Sequence, residues 1–94
     1  MTPIHTLHIL NKTPGHPRAA ECIGALRPGD ALLLTESAVL ALAAPGNHDT
    51  RIPVYALAPD VVARGLGQCP GDVTLVDFPA MVDLTALAQH VISW

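Results

Sequence analysis

Apolar residues recur in short runs that are separated by polar segments rich in proline and glycine. Four of these runs have strand length and are built from Val, Leu, Ile and Ala: Ile4–Leu10, Ala31–Leu34, Ile52–Leu57 and Val73–Phe78. Ala31–Leu34 contains no polar position, which is typical of a strand that helices cover on both faces of a parallel sheet. The pattern predicts four strands, each followed by a segment of helical length.

The segments between the strands carry helical signals. Apolar residues at helical spacing mark two of them, at Ala19, Cys22, Ile23 and Leu26 and again at Ala80, Leu84, Leu87 and Val91. The first set predicts a helix over Arg18–Leu26, and the second predicts a last helix that starts near Pro79 and includes Val91. Pro59–Arg64 predicts a short third helix with Gly65 as its C-cap.

The alternation of strands and helices favours right-handed βαβ crossovers. We therefore predict a single domain over residues 1–94 with a Rossmann-like, three-layer α/β/α architecture and a mainly parallel sheet of four to five strands. The sequence shows no internal repeat and no linker long enough to divide the chain into two domains.

One predicted helix, Glu36–Ala44, has no polar face. Thr35 is placed to cap it, and every residue from Ala38 to Ala44 is apolar. Such a helix is either buried on all sides or lies in an interface between subunits. We predict an interface that includes Val39, Leu40 and Leu42. The alternative is an alanine-rich surface that water tolerates.

Composition narrows the class of function. Half of the 94 residues are apolar, 14% are charged, and the net charge of −3 argues against direct binding to nucleic acid. No apolar run approaches the length of a membrane span, and Met1 is not followed by a basic region and a hydrophobic h-region, so we expect no signal peptide. We expect a soluble, cytoplasmic protein with no membrane contact, part of whose apolar surface is covered by a partner.

Cysteine and histidine spacing predicts neither a metal site nor a cofactor. Cys22 and Cys69 lie far apart and outside any C-x-x-C pair, so neither a disulfide framework nor a zinc site is indicated. His5 and His8 are three residues apart on a strand and are expected on opposite faces of the sheet. The other three histidines stand alone in the sequence, and we expect solvated or structurally hydrogen-bonded imidazoles.

Polar residues follow the predicted strands, where ligands gather in parallel sheets: Lys12, Thr35, Glu36, Asp60 and Asp77. Lys12 could hold an anion or lower the pKa of a thiol. The preferred alternative is a structural turn in which the neighbouring Asn11 and Thr13 bind backbone groups.

Four ordered segments resemble the TusB/DsrH family: LHILNKTP at 7–14, GDALLLT at 29–35, VYALAPDVVARGL at 54–66 and VTLVDFPAMVDLTALAQHVISW at 73–94. The resemblance implies a small subunit of a cytoplasmic sulfur-relay complex with the same class of fold. It implies partners similar to TusC and TusD or to DsrE and DsrF, and a TusE/DsrC-like sulfur acceptor. The pathway would be tRNA 2-thiouridine synthesis or dissimilatory sulfur oxidation, and the presence of Cys22 slightly favours sulfur oxidation or an ancestor that served both pathways. Trp94 is a landmark of the family and a predicted interface anchor.

Two interpretations of Cys22 remain open. DsrH-type members carry a cysteine near this position, which implies a persulfide carrier, whereas the helical stripe with Ile23 and Leu26 favours a small buried hydrophobe. We favour a supporting, non-essential role. The rival function is a free-standing, homo-oligomeric α/β module that binds a small anion near Lys12 and Glu36.

Overall fold

The computed structural model describes residues 3–43, 52–66 and 72–94. Its strands are β1 (Ile4–Leu10), β2 (Ala31–Leu34), β3 (Val54–Leu57), β4 (Val73–Val76) and β5 (Ala88–Ser93). They form one sheet in the order β4-β3-β2-β1-β5, and every neighbouring pair is parallel. The predicted parallel sheet is confirmed, with five strands.

Helices cover both faces of this sheet. They are α1 (Pro17–Ala25), a 3₁₀ helix (Glu36–Ala43), α2 (Ala58–Ala63) and α3 (Phe78–Leu87). One apolar core joins the sheet to α1, the 3₁₀ helix and α2, and a second core joins the opposite face to α3. The three-layer α/β/α architecture is therefore confirmed. No described helix is long and apolar enough to cross a membrane.

The caps of α2 follow the sequence signals. Pro59 stands in the first turn, and Gly65 has φ +68°, a conformation that costs glycine little. The N–H of Leu66 donates to the carbonyl of Val61, and that of Gly65 donates to Val62. This paired pattern is a Schellman motif, which confirms Gly65 as the residue that ends the helix.

The predicted extent of the last helix is wrong. α3 ends at Leu87, and the following six residues form β5, in which Val91 pairs with Leu7 of β1. Once Val91 and Ile92 are included, the apolar spacing that suggested a longer helix is compatible with the period of a helix and also with that of a strand. The free edge of β1 decides between them, because its N–H and C=O groups need partners and a further helical turn would supply none.

The segment after β2 also differs from the prediction. Glu36–Ala43 is a 3₁₀ helix, and Thr35 does not cap it with its side chain. The hydroxyl of Thr35 instead donates to the carbonyl of Leu10, over 3.4 Å. The backbone N–H of Thr35 donates to the same carbonyl at 3.0 Å, and Glu36, the next residue, has φ +51°, in the left-handed region.

Candidate functional site

A groove of about 300 Å³ lies at the carboxyl ends of the strands, where ligands bind in open parallel sheets. Residues at the ends of β1, β2 and β3 and residues of the 3₁₀ helix, α2 and α3 line it: Ile9, Thr35, Glu36, Leu57, Asp60, Phe78 and Met81. Three of the strand-end residues singled out in the sequence, Thr35, Glu36 and Asp60, are therefore brought together. The apolar members had no sequence signal, because their role depends on which strands are neighbours.

Asp60 fixes the shape of the groove. One carboxylate oxygen accepts a hydrogen bond of 2.7 Å from the backbone N–H of Glu36. This bond helps to hold Glu36 in its left-handed conformation, which costs a non-glycine residue about 1 kcal/mol or more. Asp77, another of the strand-end residues, does not line the groove. Its carboxylate accepts a hydrogen bond of 2.9 Å from the backbone N–H of Ala80 and so caps the N-terminus of α3.

Cys22 lies on the inner face of α1 and has no exposed surface. Burial raises the pKa of its thiol to about 11, against a smaller lowering effect of the Arg18 charge. At neutral pH the side chain is a thiol packed in the apolar core. Ile23, which was expected on the same stripe, is 54% exposed, so the buried face of α1 is narrower than predicted. Cys69 lies outside the described residues.

A chain of buried hydrogen bonds links Asp30, His8 and Trp94. The indole N–H of Trp94 donates to Nδ1 of His8 at 3.1 Å, and Nε2 of His8 lies 3.0 Å from Asp30 Oδ2. Because an indole N–H can only donate, Nδ1 must be the acceptor and Nε2 carries the proton that Asp30 accepts. His8 and Asp30 are both almost fully buried. The sequence analysis missed this network.

Asp30 is the charged end of that network. Burial alone would raise its pKa, but hydrogen bonds from His8 and from the backbone N–H of Arg27 outweigh burial and lower the pKa below 3.8. His5 contributes as well, with Nδ1 3.5 Å from Asp30 Oδ1. His5 and His8 thus meet at one carboxylate, although opposite faces were expected. Within residues 3–43, 52–66 and 72–94, no three His, Cys, Asp or Glu side chains could hold a metal ion.

Lys12 and Arg18 surround Trp94. The ammonium of Lys12 donates to Asn11 Oδ1 at 2.6 Å and to the carbonyl of Trp94 at 2.9 Å. The guanidinium of Arg18 lies 4.9 Å from the centre of the indole ring, a distance suited to a cation–π interaction. Lys12 does not line the groove that contains Glu36. The two residues of the small-anion hypothesis are therefore in different places, and that hypothesis stays a prediction.

The four residues predicted for an interface have unequal surroundings. Val39 and Leu42 are buried in the chain's own core, beneath the 3₁₀ helix. Leu40 is 38% exposed, and Trp94 is half-buried against the core. Leu40 is therefore the large apolar residue of this helix that can still contact another molecule.

Comparison with known proteins agrees with these observations. Residues 13–91 match the family described as DsrH-like protein. The chain is 37% identical to Protein TusB of Pectobacterium carotovorum and 37% identical to Protein TusB of Escherichia coli K12, in both cases over 94% of this chain and 99% of the relative. The crystal structure of the ychN protein from E. coli has the same fold, with a TM-score of 0.69 at 17% identity over 97% of this chain and 99% of that one. The chain belongs to the TusB/DsrH family.

Proposed function

We propose that this chain is a non-catalytic subunit of a cytoplasmic sulfur-relay complex that serves tRNA 2-thiouridine synthesis. The observation that carries the proposal is the 37% identity to TusB proteins along nearly the whole of both chains. Relatives named TusB favour the tRNA branch over dissimilatory sulfur oxidation, to which the family resemblance also points. The partners are two related α/β subunits of the TusC/TusD or DsrE/DsrF type and a TusE/DsrC-like acceptor.

The chemistry of sulfur relay supports a non-catalytic role for Cys22. A persulfide forms when a thiolate attacks a sulfane sulfur, and the next acceptor thiolate must then reach that sulfur from solvent. Cys22 is fully buried and its pKa is raised to about 11. The thiol of Cys22 is therefore neither ionised at neutral pH nor within reach of an acceptor in solvent. In the proposal the relay cysteines belong to the partner subunits, and this chain supports their assembly.

Leu40 is the residue of this chain that we assign to the subunit contact. It is partly exposed on a helix whose other large apolar residues, Val39 and Leu42, are buried, so it leaves apolar surface that the chain itself does not cover. Trp94 is the second contact residue, because half-buried tryptophans are frequent anchors of interfaces.

The test is complementation of a bacterial strain that lacks its own TusB. The chain is co-expressed with its two related subunits, and 2-thiouridine in tRNA is measured by nucleoside mass spectrometry. We expect restored thiolation, equal restoration by Cys22→Ala, and co-purification of all three subunits. Loss of thiolation in Cys22→Ala, together with a +32 Da adduct on Cys22 after incubation with a persulfide donor, would instead establish Cys22 as a carrier. Absence of co-purification would contradict the whole proposal.

A further inference from the structure

We propose that the groove at the carboxyl ends of the strands binds an arginine side chain from a segment of another polypeptide. The walls are apolar, formed by Ile9, Leu57, Phe78 and Met81, and two carboxylates, Glu36 and Asp60, stand at its polar side. An apolar pocket with negative charge at one end matches a side chain with an apolar stem and a cationic tip. The fold itself carries this inference, and it does not depend on sulfur relay.

The size of the groove decides the class of ligand. About 300 Å³ is the lower limit of pockets that enclose small molecules, so a dinucleotide or another large cofactor does not fit. One or two side chains do. Phe78 is 54% exposed although it lines the groove, and Glu36 is exposed as well, so the groove opens to solvent. An open groove of this size is suited to a residue presented by a partner's chain.

The charges favour a cation from outside the molecule. Arg64, which follows α2 and is near in sequence to Asp60, donates its guanidinium to the hydroxyl of Ser37 at 3.1 Å. Among ion pairs between described residues, none involves Glu36 or Asp60. The two acidic side chains are thus not neutralised by the nearby arginine.

Arginine fits this arrangement better than lysine. Its planar guanidinium can donate to two carboxylates at once and can stack on the exposed ring of Phe78. Met81 adds a flexible wall that adapts to the aliphatic stem. A lysine ammonium offers a single point of charge and no flat face.

The experiment titrates the full chain with acetyl-Leu-Arg-Leu-amide and with the same peptide carrying citrulline, which has nearly the same shape and no charge. Backbone NMR shifts of Thr35, Asp60 and Phe78 report binding. We expect about fivefold tighter binding of the arginine peptide at low salt, a preference that falls towards unity at high salt. Equal binding of the two peptides, or shifts located elsewhere, would overturn the proposal.

Two variants separate charge from fold. Glu36→Gln with Asp60→Asn keeps an oxygen that can accept from the N–H of residue 36, and it should abolish the preference for arginine. Asp72→Asn with Asp83→Asn removes the same charge from exposed positions and should leave the preference unchanged. Should the first variant not fold, Phe78→Ala serves instead and should weaken both peptides. Groove shifts that change on dilution without peptide, and that change equally in the wild type and in Glu36→Gln with Asp60→Asn, would show that a second copy fills the groove without using the two carboxylates, and the proposal would be wrong.

Discussion

The thiol of Cys22 illustrates how one residue type can suggest a reaction that its surroundings oppose. A cysteine on a helix near the start of a family match invites a relay role, yet its neighbours are apolar and its surface is covered. Because burial disfavours the charged form, the side chain is a neutral thiol at neutral pH, whatever the geometry around it. Identity of the side chain is a weak guide to chemistry when its burial is unknown.

Slow alkylation of Cys22 is the first expected outcome. With a pKa of about 11, only about one thiol in a thousand is ionised at pH 8, and the buried side chain is also sterically protected. Iodoacetamide labelling at Cys22, followed by peptide mass spectrometry, should be at least a hundredfold slower in native protein than in denaturant. Labelling at similar rates in the two states would show that α1 opens readily.

Removal of the buried carboxylate of Asp30 should lower the stability of the fold. Asp30→Ala leaves the Nε2–H of His8 and the N–H of Arg27 without their acceptor, and we expect a loss of about 2–4 kcal/mol in the free energy of unfolding. Urea denaturation measures it. Asp83→Ala, at an exposed position of α3, is the control and should change stability by less than about 0.5 kcal/mol.

The same carboxylate predicts a dependence on pH. Because the pKa of Asp30 is lowered in the folded state, its contribution to stability is complete above its unfolded value near 3.8 and is lost as pH falls through the lower folded pKa. The urea concentration at which half of the wild-type protein is unfolded should decrease as the pH is lowered below 4. That of Asp30→Asn should decrease less steeply over the same range, and parallel curves would contradict this assignment.

At the scale of elements, two leucines of the 3₁₀ helix, two positions apart, have different surroundings. Leu42 is buried in the core and Leu40 is exposed, although both lie in the same apolar run. The sequence predicted a helix with no polar face, but it could not tell which apolar residues the chain itself would use. A matched pair of substitutions can therefore separate folding from association.

Leu42→Glu should unfold the protein or cost about 3–5 kcal/mol, because it places an unpaired charge in the core. Leu40→Glu should keep the circular dichroism spectrum and melting temperature of the wild type while weakening association with the related subunits. Pull-down yields measure the second effect. A folded Leu40→Glu protein that assembles as well as the wild type would remove Leu40 from the interface.

The elements differ in how far local sequence could predict them. The first four strands are apolar runs bounded by proline or glycine, and each forms close to its predicted place. β5 could not be predicted in this way, because its residues suit a helix or a strand and the edge of β1 makes the choice. The Asp30–His8–Trp94 network could not be predicted from local sequence either, since His8 and Trp94 are 86 residues apart in the chain.

For the whole molecule, exposed apolar side chains are spread over both edges and several helices: Ile23, Leu40, Val62, Leu75, Phe78, Val82, Val91 and Ile92. Leu75 on edge strand β4 and Val91 and Ile92 on edge strand β5 place apolar side chains at both edges of the sheet, where another chain can pack or pair. We expect the isolated chain to self-associate, and to exchange this association for a complex when related α/β subunits are present. Light scattering after size exclusion would detect either state, and a monomer at high concentration under both conditions would contradict this expectation.

The position of β5 beside β1 has a consequence for biosynthesis. Strand β1 is translated before the other four described strands, but its second neighbour begins at Ala88, 84 residues after Ile4. At about 5–20 residues per second, the nascent chain carries β1 with at least one open edge for about 4–17 s. The sheet is thus completed only when translation of these residues is finished, and during this interval a chaperone would find its target in residues 4–10.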